Sequence, residues 1–213
     1  MSAPALILDG LRIRLGGTTL VALETIVPPG EVLTVMGPSG SGKSTLLAAL
    51  VGLLDPAFTL DGRVRLGDDD VTALPPERRR IGILFQDPLL FPHLSVAGNL
   101  MFGLPRGSGR RARRRRAEAA LAEAGLDGFG ERDPATLSGG QQARVALLRV
   151  LLAEPRALLL DEPFAKLDAA LKADIRRFVF ARVRARRLAT ILVTHDPADA
   201  TAAGGPVHSL AAG

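Results

Sequence analysis

The chain predicts an α/β fold: a mostly parallel sheet covered by helices on both faces, with a glycine-rich loop at the end of one strand. Three observations carry that expectation. Short apolar runs of strand length alternate with helix-length segments, the pattern that builds a parallel sheet. One such run, Val32 to Met36, feeds the turn Gly37-Pro38-Ser39-Gly40-Ser41-Gly42-Lys43-Ser44-Thr45 and then the helix-like stretch Leu46 to Leu53. Another, Ala157 to Leu160, ends on the acids Asp161 and Glu162, and ligands of such sheets lie outside the carboxyl ends of the strands.

Taken in order, Leu6 to Arg14 alternates loosely and reads as a strand, and Thr18 to Val27 reads as a second strand pair closed by Pro28-Pro29-Gly30. After the loop and its helix, Asp61 to Leu66 is a short strand, and Pro75-Pro76-Glu77 opens a brief helical turn carrying Arg78 to Arg80. Ile81 to Phe85 reads as a buried strand ending at Gln86. Leu94 to Leu126 turns helical, broken at Gly107-Ser108-Gly109, and residues 94–136 form the candidate small helical lobe. A helix is expected from Gly139 to Leu152, stopped by Glu154-Pro155, and another from Ala169 to Arg187. Between them lies the strand Ala157 to Asp161, and after them the strand Thr190 to Thr194.

Composition narrows the function. A chain of 213 residues, 47% hydrophobic, fits one domain with a sizeable core and contains no apolar run long enough to cross a membrane. Its first five residues lack the basic start and apolar core of a secretory signal. Without cysteine there are no disulfides or thiolate metal sites, and the three histidines build no zinc pattern. Net charge is +5, concentrated in the six arginines of Arg110 to Arg116 and in a second basic group from Arg176 to Arg187. With eight Phe and neither Tyr nor Trp, the stacking platforms of a single-strand nucleic-acid surface are lacking. The basic runs read as solvated helix surface of a kind that can face anionic lipid, and no nucleic-acid partner is expected.

The chemistry follows from the loop. Gly37, Gly40 and Gly42 let the backbone curl with its N–H groups inward, beside a helix N-terminus, which is a seat for phosphate oxygens. Lys43 can reach the β- and γ-phosphates, and Ser44 can place its hydroxyl on Mg²⁺. This is a nucleoside triphosphate site. Asp161, at a strand terminus beside such a loop, can hold the metal. Glu162 can polarise an attacking water. Leu137-Ser138-Gly139-Gly140-Gln141 precedes a helix; Ser138 is a candidate N-cap, and the glycines leave backbone donors free.

Phosphate loop, Leu-Ser-Gly-Gly-Gln, apolar strand with Asp161-Glu162, Leu167-Asp168 and His195 stand in an order that resembles the ATP-binding cassette (ABC) ATPases, over nearly the whole chain. The resemblance is greatest to short ATPase subunits of bacterial importers for thiamine, iron, sulfate and polyamines. It implies a P-loop NTPase core with an N-terminal antiparallel β subdomain and a helical lobe, ATP and Mg²⁺ as ligands, and a head-to-tail homodimer. Gly37 to Thr45 would be the Walker A loop and Gln86 the Q-loop glutamine that senses Mg²⁺ and the attacking water. Asp87 to Asn99 would line the groove for a permease's coupling helix. Ser138, Gly139, Gly140 and Gln141 would contact ATP on the opposite protomer. Asp161 would hold the metal, Glu162 would be the base, Asp168 the D-loop acid and His195 the switch histidine at the γ-phosphate. Such a subunit would sit on the cytoplasmic side of the inner membrane and meet a substrate-binding protein only indirectly. An exporter or lipoprotein-release subunit is the first alternative, and an ABC ATPase acting on nucleic acid the second.

Three departures qualify the resemblance. Leu15 stands where most members carry an aromatic residue that stacks on adenine, so weaker ATP binding and poor discrimination against GTP are expected; the missing stacking is worth roughly 0.5–1.5 kcal/mol. Ala165 replaces the usual D-loop serine, removing one possible hydrogen bond across the dimer, about 1 kcal/mol. The sequence given ends 18 residues after His195, so the regulatory C-terminal domain of sugar- and sulfate-type members is not expected.

Overall fold

The structure is a computed structural model that describes residues 3–105, 107 and 109–210. The chain divides into two compact units. The first comprises residues up to Ile83, Arg156–Glu162 and the residues from Arg176 onward; the second comprises Leu84–Pro155 and Pro163–Ile175.

The first unit holds two sheets. β1 (Leu6–Leu15), β2 (Thr18–Val27), β4 (Phe58–Leu66) and β5 (Asp69–Asp70) form an antiparallel sheet in the order β2-β1-β4-β5. β3 (Val32–Met36), β6 (Ile81–Leu84), β7 (Ala157–Asp161), β8 (Ala189–Val193) and β9 (Val207–Ser209) form the second in the order β6-β7-β8-β3-β9, with β7–β8, β8–β3 and β3–β9 parallel. The alternation of β1 puts Leu6, Leu8, Leu11 and Ile13 into one core with Leu33 and Val35 of β3, Leu159 of β7 and Ile191 of β8. Helix α1 (Lys43–Val51) is wedged into that core and is buried on more than one face, through Leu46, Leu47, Ala49, Leu50 and Val51. It ends at Gly52, a left-handed cap, and its last carbonyls meet an unusual partner. Arg79, at the end of α2 (Pro76–Arg79), is buried and donates to the oxygens of Ala49 (2.8 Å), Leu50 (2.9 Å), Leu74 (2.8 Å) and Thr72 (2.5 Å). Burial lowers the pKa of its guanidinium, while the four carbonyls answer its donors.

Several elements differ from the sequence expectation. Thr18 to Val27 is one ten-residue strand rather than a pair, because it pairs with β1 along its length and sends Val21, Leu23 and Val27 into the core. β4 starts at Phe58, three residues before Asp61, since Phe58 and Leu60 pair with Leu15 and Ile13 and pack against the core. β6 is an edge strand, so Ile81 and Ile83 are only half-buried. α7 (Pro197–Ala203) and β9 had no expectation: the first is alanine-rich without an apolar stripe, the second only three residues long.

The second unit is helical: α3 (Val96–Gly103), α4 (Arg110–Glu123), α5 (Gly139–Leu152) and the first residues of α6 (Ala169–Ala185). It contains residues 94–136 and extends beyond them on both sides. α3 and α5 approach so closely that a side chain on Gly103 would lie 2.3 Å from the Arg149 carbonyl. Asn99, fully buried, accepts from the Phe91 N–H (2.8 Å) and donates to the oxygens of Phe91, Leu94 and Ser95. Arg149 donates to the oxygens of Pro88 (3.1 Å) and Leu89 (2.8 Å). The segment following Gln86 is therefore held by side chains rather than by a ladder. No described helix is long and apolar enough to cross a membrane.

Candidate functional site

β3 delivers the chain into the glycine-rich loop. Gly40 (φ 83°) and Gly42 (φ 87°) adopt the left-handed region, and a side chain on Gly37 would collide with Ser41 Oγ at 2.5 Å. Gly42 caps α1 without a side-chain hydrogen bond, so the leading N–H groups of the helix have no side-chain partner at the cap and offer a positive end to an anion. Lys43 is nearly buried and turns back, donating to the oxygens of Gly37 (2.8 Å) and Pro38 (2.7 Å). Ser41 Oγ is buried and has no hydrogen-bond partner. Beside the loop lies a cavity of about 300 Å³ lined by Ser39, Gly40, Gly42, Lys43, Ser44, Thr45 and Glu162.

The acids enter from β7. Asp161 pairs with Val193 of β8, and its pKa is raised above the ordinary 3.8, first by burial and then by the charge of Glu162, with Lys43 opposing. Glu162 takes the left-handed conformation (φ 44°) and donates its N–H to the Val193 oxygen at 2.9 Å, a strained turn of the kind that concentrates at functional sites. Its Oε2 lies 3.2 Å from His195 Nδ1, and the His195 side chain is 66% exposed. Because β7, β8 and β3 are adjacent and parallel, the acid pair, His195 and the loop all follow the carboxyl ends of neighbouring strands. The first unit thus brings Gly37 to Thr45, Asp161, Glu162 and His195 together.

The remaining expected site residues belong to the second unit. Gln86 is exposed just after β6. Ser138 is the N-cap of α5 in a full capping box: the Gln141 N–H donates to Ser138 Oγ (3.4 Å), and the Ser138 N–H donates to Gln141 Oε1 (2.9 Å). Asp168 caps α6 by accepting from the Leu171 N–H at 2.9 Å. These two helix starts meet through leucines: a side chain on Gly140 would lie 2.6 Å from Leu171, and one on Gly139 would lie 3.7 Å from Leu167. Leu15, at the end of β1, pairs with Thr18 and Phe58 and is 47% exposed. The sequence reading missed the polar residues around His195, namely Arg176, Asp196 and Asp199. Asp196-Pro197 was a legible helix-start signal, whereas Arg176 lies twenty residues upstream and carries no local mark.

A strand, a glycine cradle with its lysine, and acids at the next strand ends define a P-loop nucleotide-binding protein. Residues 20–165 match the family model described as ABC transporter, and the chain belongs to that family. It is accordingly an ATP-binding ATPase of a transport system. It is 49% identical over 183 residues to YnjD of Escherichia coli K12, an uncharacterized ABC transporter ATP-binding protein, covering 86% of this chain and 84% of YnjD. It is 43% identical over 186 residues to the Fe(3+) ions import ATP-binding protein FbpC 1 of Rhizobium meliloti, covering 87% of this chain and 52% of that one. It is 42% identical over 198 residues to the putative 2-aminoethylphosphonate import ATP-binding protein PhnT of Salmonella typhimurium, covering 92% and 53%. The chain thus spans most of YnjD but about half the length of these import proteins.

Proposed function

We propose that the chain is the energy-coupling ATPase subunit of a bacterial ABC importer, hydrolysing ATP on the cytoplasmic side of a permease. The observation that carries the catalytic reading is the first unit's cluster: the Lys43 loop, Asp161, Glu162 and His195 at the ends of three adjacent strands. The importer reading is supported by the import ATP-binding proteins among the relatives.

In this reading the loop from Gly37 to Thr45 wraps the β- and γ-phosphates, with donors from the start of α1 and charge from Lys43. Among the described residues no group of three or more His, Asp or Glu side chains could hold a metal alone. That suits Mg²⁺, which takes one or two protein ligands and completes its shell with phosphates and water. Ser44 and Asp161 of the first unit fit as those ligands, and Gln86 of the second is the further ligand that the family resemblance implies; Mg²⁺ held by Ser44 and Asp161 would neutralise charge on the phosphate oxygens. Glu162 takes the proton of the attacking water, and His195, 3.2 Å away, orients that carboxylate and meets the γ-phosphate. Ser138, Gly139, Gly140 and Gln141, with Asp168 beside them, serve the nucleotide of a second copy, because one cradle covers only one side of a triphosphate. Leu15 offers the base an apolar contact without stacking.

The permease would dock on the segment from Asp87 to Asn99. Leu89 there, and Phe102 just beyond it on α3, are exposed apolar residues, and the Phe91 and Phe102 rings meet at a tilt with 4.6 Å between centroids, an aromatic surface of the kind protein partners favour. A substrate-binding protein would act through that permease.

The decisive variant is Glu162→Gln. Steady-state ATPase assays should show turnover reduced by ~10²–10⁴, the range for loss of a general base, with ATP binding retained. Wild-type turnover in that variant would place the base elsewhere.

A further inference from the structure

A closed circuit of hydrogen bonds brackets the peptide of His195. Arg176, on α6, donates from Nε to Asp199 Oδ1 (2.5 Å) and from Nη2 to Asp196 Oδ2 (2.7 Å). Asp199 Oδ2 accepts from the Thr194 hydroxyl (2.6 Å), and Thr194 Oγ1 in turn accepts from the Asp196 N–H (3.1 Å). The path Arg176–Asp199–Thr194–Asp196–Arg176 therefore engages the residues on both sides of His195 and leaves His195 out. Asp196 also caps α7 by accepting from the Ala198 N–H at 2.9 Å.

Burial divides the same way. The Arg176 and Asp199 side chains are 14% and 4% exposed and Thr194 is buried, whereas the imidazole between them stands largely in solvent. A desolvated guanidinium bridging two carboxylates is a poor source of stability compared with apolar packing. What it supplies is geometry. With residues 194 and 196 tied to one cation, the imidazole retains only its own side-chain torsions, and it already lies 3.2 Å from Glu162. A catalytic group displaced by about 1 Å loses ~10²-fold in rate.

We propose that Arg176 is a positioning residue for His195: by bridging Asp196 and Asp199 it fixes the His195 peptide, so that the imidazole is presented to Glu162 and to the terminal phosphate. This rests on the reading of His195 given above. The four hydrogen bonds of the circuit run among Arg176, Thr194, Asp196 and Asp199, so the clamp should govern the chemical step and leave nucleotide capture alone.

A mutant cycle on the full chain separates this role from a merely structural one. Single-turnover hydrolysis would be measured for Arg176→Gln, Arg176→Lys, His195→Ala and the Arg176→Gln/His195→Ala double variant, each with a thermal melt. We expect Arg176→Gln to lower the rate by ~10–100-fold with the ATP concentration for half-saturation changed by less than about threefold. Arg176→Lys, which keeps the charge but reaches fewer acceptors, should recover part of the rate. In the His195→Ala background the Arg176 change should cost nothing further, the mark of two residues acting through one another. A full additional loss in that background overturns the proposal, as does an unchanged rate in Arg176→Gln when His195→Ala is inactive. Full activity in His195→Ala would sink the role of His195 and this proposal with it. If Arg176→Gln melts too early to assay, Asp196→Asn removes one arm of the clamp at its more exposed carboxylate and takes its place in the same cycle.

Discussion

Asp161 sits where burial and the charge of Glu162 both oppose its ionisation, with Lys43 only partly offsetting them. The folded state therefore holds the Asp161 proton to higher pH than the unfolded chain does. By linkage, the Asp161 contribution to stability is complete below the ordinary carboxyl value of 3.8 and is lost as pH rises through the raised value. Above that raised value the ionised Asp161 is a destabilising carboxylate in the folded chain. We expect Asp161→Asn to melt at a higher temperature than wild type at neutral pH without nucleotide, with the gap closing as pH falls to 3.8 and below. The same variant should lose Mg²⁺-dependent hydrolysis. A variant that melts lower at neutral pH would mean that Lys43 stabilises the ionised Asp161 more than burial opposes it. Stability sacrificed at a working carboxylate is a common trade in active sites.

Among the elements, α5 depends most visibly on its first residue. Ser138 and Gln141 satisfy each other's N–H groups, and replacing such a cap by alanine costs about 1 kcal/mol. Ser138→Ala should lower the melting temperature by roughly 2–4 °C for a chain of this size, while Ser138→Thr should hold it; an unchanged midpoint in the alanine variant would show that the box is not formed in solution. This helix was readable beforehand because its start and stop are local: a serine with glutamine three residues on, then Glu154-Pro155. β7 was readable for the same reason, as an unbroken apolar run ending in acids. α7 and β9 were not, since neither carries enough apolar periodicity to show without the sheet they join. Of the candidate site, the loop, the acids and His195 were visible as motifs. The Arg176 clamp is made by tertiary contacts alone, between α6 and the loop following β8, and no spacing announces it.

On the scale of the whole molecule, the residues assigned to ATP fall into two sets. Lys43, Asp161, Glu162 and His195 belong to one compact unit, and Gln86, Ser138 to Gln141 and Asp168 to the other. If the second set serves a twin chain, slow hydrolysis should trap the pair. Light scattering on the Glu162→Gln variant should then report a dimer with ATP and a monomer without it; a monomer under both conditions would count against the head-to-tail arrangement. Before any such pairing, the ammonium of Lys43 already has company in the oxygens of Gly37 and Pro38. Those two carbonyls hold the cation inside the cradle. A triphosphate drawn to Lys43 would have to compete with partners that the ammonium already holds. The heat released on such a capture would then be a difference between two bonded states, smaller than the new contacts alone would suggest.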